Sequence, residues 1–143
     1  MFILDTNVLS ELMRPAPAPQ VVAWVDAQPA RDLFITTITQ AEVLSGLALL
    51  PPGRRRDALT TPAKHLLAVV FATRTLSFDR AAAPQYAALA AAARQAGRTI
   101  APFDLQIAAI ALARGLGIAT RNIRDFDNLG LTLADPWDTP ATP

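Results

Sequence analysis

Twelve acidic side chains are spread over 143 residues, and some have an obvious local reason to be there while others do not. On a helix, an acid is ordinarily solvated or paired with a base three or four positions away. Glu11 has Arg14, Asp57 has Arg54 and Asp127 has Arg124, so these three read as structural pairs. Glu42 has no such neighbour: Ile38, Thr39, Ser45 and Gly46 surround it on a helix, and Leu49 shares the face with Ile38. A buried, unpaired carboxylate is costly, so Glu42 needs a partner from elsewhere, such as a cation. Asp104 repeats the pattern among Ala101, Ile107 and Ala108, although a first-turn acid is also favoured by the helix dipole. Asp5 follows the apolar run Phe2-Ile3-Leu4, lies beside Val8 and Leu9, and also lacks a local base.

Two explanations stay open for Asp5. It can cap the following helix through its side-chain oxygen, or it can face a ligand at the carboxyl end of a strand in an open α/β sheet. Asp125 follows Ile118-Ala119-Thr120 much as Asp5 follows the first strand, but Arg121 and Arg124 could pair with it locally. If Asp5, Glu42, Asp104 and Asp125 meet, they form an all-oxygen site. Hard oxygen ligands suit Mg²⁺ or Mn²⁺, and a divalent cation relieves the repulsion among clustered carboxylates. Phosphoryl chemistry is the common use of such a site.

Composition narrows the remaining choices. There are no cysteines, one histidine (His65) and one lysine (Lys64), so acid–base chemistry must rest on carboxylates, a metal, or both. His65 sits in an apolar helical run with no metal-spaced companion and reads as structural. The apolar fraction of 52% and charged fraction of 17% indicate a globular chain, and the length suits one domain over 1–143. The longest apolar stretch, Leu66 to Ala72, is far too short for a membrane span, and the N-terminus lacks a basic signal region. A cytoplasmic protein is expected. The net charge of +1 supplies no global field for nucleic acid, which leaves a local site open.

The elements that must position these acids alternate between short strands and helices. Strands are predicted at Phe2–Leu4, Leu33–Ile35, Thr75–Ser77, Ile118–Thr120 and Leu131–Leu133, with a brief extended piece at Thr99–Ile100. Helices are predicted at Thr6–Met13, Val21–Ala27, Ile38–Leu49 with Thr36 or Thr37 as cap, Arg54–Thr73 broken near Pro62, Ala81–Ala96 and Pro102–Arg114. "RNIRDF" reads as a turn or a single helical turn, and residues 135–143 as a loop-like tail. This alternation implies an α/β fold with a parallel sheet covered on both faces.

The stretches "ILDTNVLSEL", "TTITQAEVLSGL", "PFDLQIAAIA" and "ATRNIRDF", in this order, resemble the PIN-domain ribonucleases, and most nearly the VapC/FitB-type toxins of toxin–antitoxin pairs. The resemblance spans Phe2 to Trp137. It implies a three-layer α/β/α fold with a central parallel sheet of about five strands. It also implies a Mg²⁺- or Mn²⁺-dependent endoribonuclease that hydrolyses RNA to a 5′-phosphate and a 3′-hydroxyl. The family's acids fall on Asp5, Glu42, Asp104 and Asp125, with Asp127 close enough to stand in for Asp125. Thr6 and Asn122 match supporting polar positions. A small DNA-binding antitoxin and a homodimer are the implied partners. "ADPW" departs from relatives that place Asn before Pro-Trp.

Arg121 and Arg124 are the candidate phosphate contacts, being nearer the acids in sequence than the Arg54-Arg55-Arg56 run, which reads equally well as a solvated helix start. Trp24, Tyr86 and Trp137 read as core or interface residues. Three other readings compete with this one. An aspartyl phosphatase needs a second acid where Asn7 stands and a suitably placed lysine. A phosphate-loop binder needs glycines that are absent. A catalytically silent interaction protein would use the acids to hold a basic partner segment, and metal independence would distinguish it.

Overall fold

Phe2-Ile3-Leu4 forms the middle strand, and the rest of the molecule is arranged about it. The computed structural model describes residues 1–138. β1 (Phe2–Leu4) lies between β2 (Leu33–Thr36) and β4 (Gly117–Ala119), with β3 (Thr75–Leu76) and β5 (Leu133–Ala134) at the edges. The five strands are parallel throughout, in the order β3-β2-β1-β4-β5. The chain winds outward from β1 through β2 to β3, then crosses over to β4 and β5. The order therefore reverses at β1, and the crevice beyond the ends of β1 and β4 is the place where such sheets bind ligands.

Among the described residues seven α-helices cover the sheet: α1 (Thr6–Leu12), α2 (Pro19–Asp26), α3 (Thr37–Leu49), α4 (Arg54–His65), α5 (Ala82–Gln95), α6 (Pro102–Arg114) and α7 (Ile123–Phe126). Successive residues of a strand face opposite ways, and the packing follows that alternation. Ile3 and Ile118 face the core with α5, α6 and Phe126 of α7, whereas Leu4 and Ala119 face the core with Val8, Val21, Val43 and Ala63 from α1 to α4. This is the three-layer α/β/α arrangement implied above. At the head of β4, a Cβ on Gly117 would stand 2.8 Å from the Phe2 ring and from the Thr132 carbonyl, so only glycine fits there. Among the described residues, no helix is long and apolar enough to cross a membrane.

Several local expectations are revised. Thr36 is the cap of α3, its hydroxyl accepting from the Thr39 N–H. Pro62 does not break α4; the irregularity comes later, as a π-helical turn at Leu66–Val70 closed by Phe71 N–H donating to the Leu66 carbonyl (2.9 Å). Thr99–Ile100 joins no strand. The last strand is Leu133–Ala134, where Ile118 and Ala119 supply its partners. The expected Asp57–Arg54 and Asp127–Arg124 pairs do not form among the described residues; Glu11–Arg14 (3.2 Å) does. An exposed ion pair contributes only about 0–1 kcal/mol, too little to fix two long side chains. His65 is exposed at the end of α4 and not packed. Trp24 packs edge-on against Phe2 and Tyr86 against Phe78. Within the predicted tail, Trp137 packs beside the α1–α4 core and its N–H donates to the Asp135 carboxylate (2.9 Å); residues 139–143 lie outside the described residues.

Candidate active site

Asp5 stands directly after β1, at the crevice between β1 and β4, and is only 5% exposed. Its backbone N–H continues the sheet by donating to the Ala119 carbonyl (2.9 Å). Its side chain has two tasks. Oδ1 accepts from the Thr6 N–H (2.8 Å), which caps α1. Oδ2 accepts from the Thr120 hydroxyl (2.8 Å) and from the Asn7 amide (3.2 Å). The cap and the site are therefore one side chain, and both explanations offered by the sequence hold together. Burial pushes the Asp5 carboxyl up; the Thr120 and Thr6 bonds pull it back, and the charges of Glu42 and Asp125 push it up again.

Glu42 reaches the same crevice from α3. Its Oε1 accepts from the Thr6 hydroxyl (2.7 Å), and Thr6 in turn lies 3.2 Å from the Thr39 hydroxyl. Thr39 is fully buried and 3.4 Å from the Thr36 hydroxyl. Three threonines thus link the end of β2 to the carboxylate of α3. Thr6 supports the site as implied, by steadying Glu42. Leu49, expected to extend an apolar face with Glu42, is instead 83% exposed.

Asp104 sits in the first turn of α6, half-buried, and its carboxyl is pushed up to about 6. Burial is the largest cause, followed by the charges of Asp5, Asp125 and Glu42. Asp125 is exposed on α7. It is Asp125, and not Asp127, whose charge acts on both Asp5 and Asp104. The structure thereby brings Asp5, Glu42, Asp104 and Asp125 within electrostatic reach of one another. Among the described residues, no three acids or histidines are gathered closely enough to cage a metal ion by themselves. The donor set still fits one: hard oxygens, mutually repelling, partly buried and able to hold an ion through intervening water.

Asn122 contributes by its backbone, its N–H donating to the Thr120 hydroxyl (3.0 Å) and its side chain making no capping bond. Thr120 was not singled out from the sequence, yet it is fully buried and joins Asp5, Asn7 and Asn122. Thr39 was missed as a support in the same way. A hydroxyl at a strand end or inside a helix has no periodic signature. The one usable signal was the run of threonines 36, 37 and 39 just ahead of Glu42.

A cleft of about 730 Å³ leads away from Thr6, Asn7 and Glu42 over Val43, Leu47 and Leu59. Arg121 lies on its rim, with its guanidinium 5.2 Å from the centre of the Trp137 ring and its backbone N–H donating to Asn7 (3.2 Å). Arg14 and Arg55 border the same cleft, while Arg124 does not.

The chain matches known proteins over nearly its whole length. The PIN domain model covers residues 2–130. The plasmid stability protein StbB of Pseudomonas syringae pv. tomato is 44% identical over 96% of this chain and 99% of its own. The VapC ribonuclease Y4jK of Sinorhizobium fredii is 41% identical, and toxin FitB of Neisseria gonorrhoeae 38% identical, each with the same coverage of both chains. The structure of FitAB bound to an IR36 DNA fragment superimposes with a TM-score of 0.88 at 37% identity, covering 97% of each chain. A reversed parallel sheet with acids at its switch point, in a sequence matched from Phe2 to Gly130, places this chain in the PIN-domain family.

Proposed function

We propose that this protein is a Mg²⁺- or Mn²⁺-dependent endoribonuclease acting as the toxin of a toxin–antitoxin pair. The observation that supports it most is Asp104, a half-buried carboxyl raised to about 6 by burial and by three other carboxylates. Such mutual repulsion is relieved by a divalent cation. Asp5, Glu42 and Asp104 would hold the ion, directly or through water, and Asp125 would complete the ring. When bound, the ion polarises the phosphate and makes a water acidic enough to attack at neutral pH. The protein's own residues supply orientation. Thr120 and Thr6 N–H fix both oxygens of Asp5, and the Thr6 hydroxyl fixes Glu42. Arg121, stacked on Trp137, presents a phosphate-binding charge at the cleft, with Arg55 as a further basic contact; Arg124 lies outside the cleft lining.

The names of the relatives supply the rest: a VapC ribonuclease, a toxin, and a FitAB assembly bound to DNA. A small DNA-binding antitoxin would seat an apolar segment over Val43, Leu47 and Leu59 beside the acids. A homodimer would cover exposed apolar side chains such as Phe103 (52%) or Leu49 (83%). The purified chain should cleave RNA with Mg²⁺, stop on chelation, and resume with Mn²⁺. Cleavage that ignores chelator would remove the metal from the reaction, and an absence of cleavage together with calorimetry showing no metal binding would favour the silent interaction protein.

A further inference from the structure

Arg98 makes two hydrogen bonds that neither the sheet nor the acid cluster accounts for. Its guanidinium donates to the backbone carbonyls of Arg124 (3.0 Å) and Asp127 (2.5 Å). Those carbonyls lie on either side of Asp125. α7 has only four residues, so it cannot hold itself together as an isolated helix. Its last carbonyls have no partner within the helix. A forked guanidinium at that end satisfies two of them and complements the negative end of the helix dipole.

The position of Arg98 is itself fixed. α5 ends at Gln95, and its closing turn runs through Gly97, which takes the left-handed backbone (φ 68°). The Gly97 N–H donates to the Arg94 carbonyl (3.1 Å) and the Arg98 N–H to the Ala93 carbonyl (2.8 Å). This paired closure is the Schellman ending of a helix. On the inner side, α7 is anchored by the fully buried Phe126. The Asp125 carboxylate is exposed and takes no hydrogen bond among the described residues, so its direction depends on the backbone that Arg98 and Phe126 hold.

We propose that Arg98 is a positioning residue for the acid site: by clamping the carbonyls that flank Asp125, it aims that carboxylate toward Asp5 and Asp104. The proposal rests on the assignment of Asp125 to the metal site. Four variants of the full chain test it: Arg98→Ala, Arg98→Lys, Asp125→Asn and the Arg98→Ala/Asp125→Asn double. Mn²⁺ affinity is read by calorimetry, and amide exchange by mass spectrometry. Arg98→Ala should speed exchange over residues 123–127 while leaving β1 and α6 protected, and should weaken Mn²⁺ binding about tenfold, the scale of outer-shell supports. Asp125→Asn should weaken binding to a similar degree, and the double variant should be no worse than Asp125→Asn alone. Arg98→Lys, with one ammonium for two carbonyls, should fall between wild type and Arg98→Ala, and keeps the test open if the alanine variant misfolds.

Wild-type Mn²⁺ affinity in both Arg98 variants, beside a weakened Asp125→Asn, would overturn the clamp alone. Additive losses in the double variant would do the same. Wild-type affinity in Asp125→Asn would remove Asp125 from the site and the clamp's purpose with it. Faster exchange at 123–127 would then mark Arg98 as a helix cap only.

Discussion

The two sides of the acid cluster are held in different ways. On the β1–α3 side, Asp5 and Glu42 are stitched by hydroxyls and amides: Thr120, Asn7 and the Thr6 N–H on one, the Thr6 hydroxyl on the other. On the α6–α7 side, Asp104 and Asp125 have no side-chain hydrogen bonds among the described residues and are placed by backbone alone. The difference appears in the charges. Hydrogen bonds offset part of the cost of burying Asp5, whereas nothing offsets it for Asp104, which is raised to about 6. One side is built on hydrogen bonds that offset part of its repulsion; the other carries its repulsion without that offset.

Removing the built side should do the most damage. Asp5→Asn keeps the shape and can still accept from Thr6, so it should stay folded while losing about a hundredfold or more in cleavage, at or beyond the upper range for groups that support a metal. A folded Asp5→Asn protein that cleaves RNA with Mg²⁺ at the wild-type rate would end the assignment. Thr120→Val removes the hydroxyl from a fully buried place and leaves Asp5 Oδ2 short of a donor. It should cost about 1–3 kcal/mol in denaturant unfolding. An unchanged midpoint would mean that this bond does not hold the built side together.

The charged side should respond to pH in the opposite sense from an ordinary salt-bridged acid. Asp104 has a folded pKa above its unfolded value of 3.8, so the folded state holds its proton more tightly. Stability is then highest below the unfolded value and falls as pH rises through about 6. The metal-free protein should therefore melt higher at pH 5 than at pH 7. Asp104→Asn should flatten that dependence, and saturating Mg²⁺ should also flatten it in the wild type. A metal-free wild type that melts lower at pH 5 would show that Asp104 does not carry the repulsion. The smallest effect is expected at the rim. Arg121→Ala should weaken RNA binding and reduce the salt slope by about 0.7, the value for one contact to a single strand. An unchanged slope would place the phosphate grip elsewhere, with Arg55 the next residue to substitute.

The comparison also explains what the sequence could and could not disclose. Glu42 and Asp104 stood out because helical spacing makes a missing local base visible. Asp5 stood out because an acid after an apolar strand is a local pattern. The strand–helix alternation was equally local, and the sheet followed from it. Thr120 was not visible, since its partner Asp5 is 115 positions away and nothing in a strand-end threonine announces that. Asp125 stayed ambiguous because two arginines nearby gave it an ordinary explanation; only the folded chain shows its charge acting on Asp104. The local pairs Asp57–Arg54 and Asp127–Arg124 failed for the reason that makes surface pairs weak: solvent screens them and side-chain entropy opposes them.

The central place of β1 has a consequence for the order of assembly. β1 and β4 lie far apart along the chain, yet they are sheet neighbours, and the hydroxyl that grips Asp5 comes just after β4, at position 120. Closing so long a loop is slow. Thr6 and Asn7 can hold Asp5 locally, but its Thr120 donor arrives only when β4 docks beside β1.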